Sequence, residues 1–157
     1  MKVSARAEYG LRALIDLAQH YGRGPVQSHD IAARQGLPEP YLNQLMTTLR
    51  KAGLVASKRG PSGGHALARA AELISLREAF DVLEGPAAPW WCVEETEPDC
   101  VYAPGCGLRP VWQAISAAVE QVLADLSLAD IAARVREPLD SPRSSRSTSL
   151  TIVAAPK

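Results

Sequence analysis

Residues 4–67 carry a punctuated pattern that few folds accept: three short helical stripes, each closed by glycine or proline, then a glycine-rich tip between two extended runs. Ser4 is placed to cap a first helix, after which Ala7, Leu11, Leu14, Ile15 and Ala18 recur at helical spacing to about Tyr21. Gly22, Gly24 and Pro25 end it. Ser28 is placed to cap a second helix over 30–35, with Gly36 as its natural stop. Pro40 suits the first turn of a third helix, where a missing N–H costs little, and Tyr41, Leu42, Leu45, Met46 and Leu49 line that helix as far as Gly53. Residues 54–58 read as a short strand, 59–64 as a turn-rich tip and 65–67 as the returning strand.

Three helices followed by a two-stranded hairpin is the plan of a winged helix-turn-helix. The rest of the chain extends it. Ser75 and Glu78 have the spacing of a capping box and open a fourth helix through Phe80, Val82 and Leu83 to Gly85. After a loop, Leu108, Val111, Trp112, Ile115, Ala118, Val119, Val122, Leu123 and Leu126 form one long apolar stripe. Ser127 then caps a last helix over 128–134. The expected fold is mainly α, a winged helix-turn-helix with a long C-terminal dimerisation helix. The expected regions are 1–85 for the winged head, 86–106 for a cysteine-bearing loop, 107–136 for the dimerisation and terminal helices, and 137–157 for a disordered tail rich in Ser, Pro and Arg. The stripe is too long for the head to cover, and two-fold pairing is the commonest way to bury such a surface.

At 46% hydrophobic the chain can bury a real core. No run approaches the roughly 18–20 apolar residues of a membrane helix, and the N-terminus is polar by residue 6, so a cytoplasmic protein with no membrane partner is expected. The formal net charge is +0 but lopsided: residues 1–70 hold ten Lys and Arg against four acids, and 71–157 hold seven against thirteen. A basic head facing a polyanion fits that asymmetry. In a winged head the third helix enters the major groove of duplex DNA. Its polar residues Asn43, Gln44, Thr47 and Thr48 are then the candidate base readers, since Asn and Gln can bond adenine at two points. Tyr41 fits core or contact. Arg50 and Lys51 can meet phosphates, and Lys58 and Arg59, beside the glycine-rich tip, can approach a narrow minor groove. A two-fold dimer would present these groups to a roughly palindromic site. His65 reads as a packed strand residue, His20 and His29 as surface residues.

All three cysteines fall in one short stretch, Cys92, Cys100 and Cys106, with spacing C-x7-C-x5-C among prolines and acids. An odd count excludes a closed disulfide framework. Converging thiolates from a loop can hold a soft metal. The gaps are longer than zinc ligand pairs commonly show, which favours an iron–sulfur cluster over zinc on spacing. A metal-free redox thiol and a zinc-stabilised interaction module stay open at this point. No enzyme is expected: the chain has no C-x-x-C pair, no phosphate-binding glycine fingerprint after a strand, and no Ser/His/Asp constellation.

Residues 2–14 (KVSARAEYGLRAL), 41–45 (YLNQL), 49–55 (LRKAGLV), 59–65 (RGPSGGH) and 82–86 (VLEGP), with the cysteine trio, resemble the Rrf-two family of bacterial transcription regulators, with its IscR, NsrR and RirA-type members. The likeness runs from residue 1 to about 134 and is specific in combination. It implies a homodimer joined through the long helices, and an iron–sulfur cluster held by Cys92, Cys100 and Cys106 that senses iron, redox state or nitric oxide for a repressor-type regulator. The seven-residue first gap looks more like the RirA type than the IscR type. Arg109 stands where the IscR pattern has a ligating histidine, and arginine cannot ligate, so the resemblance puts a histidine-ligated [2Fe–2S] centre in doubt and favours [4Fe–4S] over [2Fe–2S], leaving the nuclearity open. In NsrR-type relatives a carboxylate near the start of the first helix, from the partner subunit, is the fourth ligand. Glu8 matches that place; water, a small thiol or a loop acid are the other candidates. A regulator of the same fold without a cluster, acting through its thiols or a partner protein, is the alternative.

Overall fold

Helix α1 (Ala5–Gln19) starts where Ser4, in extended backbone, accepts the N–H of Ala7 on its hydroxyl at 3.1 Å. The computed structural model to which it belongs describes residues 3–85, 93, 100 and 105–135. Ala7, Gly10, Ala13, Leu14 and Leu17 fall on one side of α1 and are buried. This helix is the centre of the molecule: it packs against α2 (Ser28–Gln35), α3 (Glu39–Lys51), α4 (Leu76–Glu84) and α6 (Leu128–Arg134). Leu14, Leu17, Ile31, Leu42, Met46, Leu49, Leu54, Ile74, Leu83 and Leu128 are fully buried together. Each such side chain stabilises the fold by roughly 1.5–3 kcal/mol before its ordering entropy is counted.

Helix α2 begins earlier than the expected 30–35. Gln27 holds its cap position without a side-chain cap bond, and Ser28 is the first helical residue. Ser28 does not cap because its hydroxyl bonds to α3 and to the hairpin instead. Gly36 ends α2 in the left-handed region, at φ 65° and ψ 42°, as its position led one to expect. Pro40 sits in the first turn of α3. The hairpin strands β1 (Val55–Lys58) and β2 (Gly64–Leu67) run antiparallel, with Val55 opposite Leu67 and Lys58 opposite Gly64. At the tip a Cβ on Gly63 would lie 2.2 Å from the carbonyl oxygen of Lys58, so the turn closes only over glycine.

A buried polar knot joins α1 to α2. The Asp16 carboxylate, with no exposed surface, accepts Arg34 Nε at 3.0 Å, Arg34 Nη2 at 2.7 Å and Gln35 Nε2 at 3.1 Å. At α4, Ser75 accepts the N–H of Glu78 at 3.1 Å. The other half of the expected box goes elsewhere, because the Glu78 carboxylate pairs with Arg69. Ser127 and Asp130 make a complete box at the start of α6.

Helix α5 (Arg109–Ala124) packs on α4. Ser116 is buried there, and Arg77 of α4 donates to Glu120 of α5 at 2.8 Å. The other flank of α5 is open: Leu108, Val111, Ile115 and Val122 are exposed. Just past its C-terminal end the chain is stapled to the segment before α4, where Leu76 N–H donates to Leu126 O at 2.7 Å and Leu128 N–H to Ile74 O at 2.9 Å. Among the described residues no helix is long and apolar enough to cross a membrane. The expected tail over 137–157 and most of the loop over 86–106 lie outside the described residues.

Candidate nucleic-acid interface and thiol site

Past Glu39 in its first turn, helix α3 and the hairpin carry cations and no acids. Between residues 40 and 70 the chain carries Arg50, Lys51, Lys58, Arg59 and Arg69 and no Asp or Glu. Asn43, Gln44, Thr47, Arg50 and Lys51 are exposed on α3, and Lys58 and Arg59 are exposed where β1 runs into the tip. Asn43, Thr47 and Arg50 follow one helical stripe; Gln44 and Lys51 follow the next. Tyr41 is half-buried, its ring edge-on to Tyr9 with centroids 6.0 Å apart, so it anchors α3 on α1. The Thr47 hydroxyl donates to the carbonyl of Asn43 at 2.9 Å, and Thr48 is half-buried with its hydroxyl turned back to Gln44 at 3.3 Å. Thr47 therefore offers outward only lone pairs and a methyl group.

The hairpin is tied to the helices by groups the sequence does not single out. His65 and Val26 exchange two backbone hydrogen bonds at 2.8 and 2.7 Å. Gln27 Nε2 donates to Pro61 O at 3.1 Å. The His65 ring is half-buried, with Nδ1 2.9 Å from Ser57 Oγ and Nε2 3.0 Å from Ser28 Oγ; Ser28 Oγ in turn donates to Asn43 Oδ1 at 2.7 Å. Burial, and then the positive charge of Arg50, hold the His65 pKa below its ordinary value of 6.5. Ser28, Ser57 and His65 are scattered along the chain, and no periodicity links them, so no pattern signal marks them as one unit.

Of the thiol candidates, Cys92 lies outside the described residues. Cys100 and Cys106 carry free thiols and are half-buried, Cys106 lying just before α5. Free soft thiols, one of them just before α5, suit an iron–sulfur group or another soft metal by donor chemistry. Glu8 stands in the first turns of α1 with its side chain 58% exposed, 3.4 Å from Arg12 Nη1, an exposed pair that holds it weakly. Among the described residues no three of His, Cys, Asp and Glu gather in one subunit. Glu8, Cys100 and Cys106 are therefore not brought together within a single chain.

A helix-turn-helix head carrying a two-stranded wing, with cations on recognition helix and wing alike, places the molecule in the winged helix-turn-helix class. Within that class the chain belongs to the Rrf2 family: the family model, described as an iron-dependent transcriptional regulator, matches residues 3–134. It is 39% identical over 132 residues to the HTH-type transcriptional regulator CymR of Bacillus subtilis, covering 84% of this chain and 90% of that protein. It is 40% identical over 131 residues to Protein rrf2 of Nitratidesulfovibrio vulgaris, covering 83% of this chain and 87% of that protein. The solved structure of B. subtilis CymR, described as the global cysteine regulator of that organism, superposes with TM-score 0.72 over 85% of this chain and 97% of its own at 38% identity. That of T. potens IscR superposes with TM-score 0.67 over 83% of this chain and 85% of its own at 43% identity. The protein is thus an Rrf2-family bacterial transcriptional regulator.

Proposed function

We propose that this regulator is a cytoplasmic homodimer that represses or activates from a roughly palindromic operator and senses its signal at Cys92, Cys100 and Cys106. The exposed cations and amides of α3 and the wing, with no acid between residues 40 and 70, carry the DNA half of this reading. Gln44 and Asn43 reach base edges, Thr47 and Tyr41 border them, Arg50, Lys51 and Lys58 neutralise phosphates, and Arg59 enters a minor groove. Val111, Ile115 and Val122, exposed on α5, are the surface that a second copy buries.

The free thiols of Cys100 and Cys106, together with a family description that names iron, support an iron–sulfur cluster on the three cysteines. [4Fe–4S] is favoured over [2Fe–2S] because Arg109 cannot ligate, and the partner subunit's Glu8 is the candidate fourth ligand. When bound, the cluster would supply a redox- and nitric-oxide-sensitive crosslink between loop, α5 and the partner's head. What the chain itself contributes is linkage: the ligand set shifts operator affinity only by its differential affinity for two arrangements of α5 and α1. A second reading is a regulator without a cluster that acts through the thiols themselves. The half-buried free thiols and the likeness to CymR support it. Anaerobic purification with iron and sulfide quantification, followed by operator selection with the same preparation, separates the two. Metal-free protein that still selects a site and loses it on thiol oxidation would leave the second reading.

A further inference from the structure

The bonds that run from the wing to Asn43 have a direction. Ser28 Oγ owns one proton, and its 2.7 Å contact with Asn43 Oδ1 has the length of an O–H···O bond. With that proton spent on Asn43, Ser28 must accept from His65, so Nε2 carries the ring proton at 3.0 Å. Nδ1 is then the bare nitrogen and accepts the hydroxyl of Ser57 at 2.9 Å. Every polar atom of the neutral ring is used, and burial together with Arg50 keeps the ring neutral near neutral pH. The two backbone bonds between His65 and Val26 hold the ring against the start of α2, so the array is fixed at both strands and both helices.

The consequence falls on the exposed end of the array. Asn43 Oδ1 accepts from Ser28 in an exposed bond that turns it toward the start of α2, and its amide NH2 makes no such bond across the array. A free asparagine amide reads adenine with both ends, accepting from N6 and donating to N7. An asparagine whose oxygen already accepts from Ser28 has one lone pair fewer to offer, and its NH2 becomes the stronger outward group. We propose that Ser57, His65 and Ser28 are positioning residues that hold the Asn43 oxygen toward α2 and bias the side chain toward donating outward, so that it favours an acceptor edge, guanine first and thymine second, over adenine. This rests on the reading of α3 as the helix that meets DNA.

The test is operator selection from a random duplex pool with the wild-type protein, then affinity for the selected site carrying each base in turn. Asn43→Ala identifies the position that Asn43 reads, as the one whose preference it flattens. At that position the wild type should prefer guanine or thymine. Ser28→Ala and His65→Phe should shift the preference toward adenine by about tenfold while changing affinity for random DNA less than about twofold. Ser28→Thr, which keeps the hydroxyl, should keep the wild-type preference. Ring 15N shifts of His65 in the free wild-type protein should report the Nε2–H tautomer, a readout that needs no variant to fold. Wild-type selection of adenine at that position, unchanged preference in Ser28→Ala, or the Nδ1–H tautomer would each overturn the proposal. A wild type that selects no site at all would overturn the DNA reading itself, and this proposal with it.

Discussion

Replacing Asp16 by Asn tests how much of the head depends on one buried ion pair. The substitution conserves shape. It removes the charge and turns an NH2 toward Arg34 and Gln35, which are both donors to Asp16. Arg34, whose side chain is only 14% exposed, is left without its buried counter-charge. Removing one partner of a buried pair costs about 3–5 kcal/mol, because the remaining charge stays desolvated. Domains of this size are stable by about 5–15 kcal/mol in all, so the loss takes a large share. Urea titrations followed by circular dichroism at neutral pH should show the midpoint fall at unchanged slope. The triple variant Asp16→Leu, Arg34→Met and Gln35→Leu removes both charges and the buried amide that donates to Asp16, and should recover part of the loss. A fall below about 1 kcal/mol for Asp16→Asn, or a triple variant no more stable than the single, would refute the claim that an uncompensated buried charge is the cause.

Other changes follow from the same geometry. Gly10→Ala puts a Cβ 2.4 Å from Leu83 Cδ2; overpacking costs about 1–3 kcal/mol against a gain in helix propensity of at most about 1, so calorimetry should show a lower melting temperature. Gln44→Ala should cost about 1–3 kcal/mol on the selected operator and relax one base position, whereas Lys51→Ala should weaken all DNA alike and flatten the salt slope by about one. Ile115→Glu places a charge on the exposed flank of α5, and should lower dimer affinity in sedimentation and operator binding together. Because the His65 pKa is lowered by folding, the unfolded chain takes up that proton first as pH falls through 6.5. Stability should therefore drop as pH falls through 6.5 and toward the lowered pKa of the folded ring, and His65→Phe, which leaves Arg50 without that neighbour, should remove that part of the slope in urea midpoints.

What could be read from the sequence is what is decided within a few residues. Ser4 and Ser127 cap their helices and Gly36 ends α2, because each bond or dihedral involved is local. The stripes of α1 and α3 fix which faces are buried, and the exposed polar and cationic residues of α3 and the wing are contiguous enough to be recognised as one surface. Where a side chain has a distant competitor, local rules fail. Ser28 looks like a cap and bonds Asn43 and His65; Glu78 looks like half a capping box and pairs with Arg69. Asp16 reads as one more charge on a helix. Its three hydrogen-bond donations come from residues 18 and 19 positions away, beyond the reach of any helical spacing.

The backbone staple that joins residues 74–76 to 126–128 has a mechanical consequence. It pins the far end of α5 to the head, and α6 then locks that end down by packing on α1. Arg77 and Glu120 add a second fastening partway along. With one fastening at its C-terminal end and another at Glu120, α5 is a stiff arm seated on α4. A displacement applied along α5 would be passed to α4 directly and to α1 through α6, and α3 packs on α1.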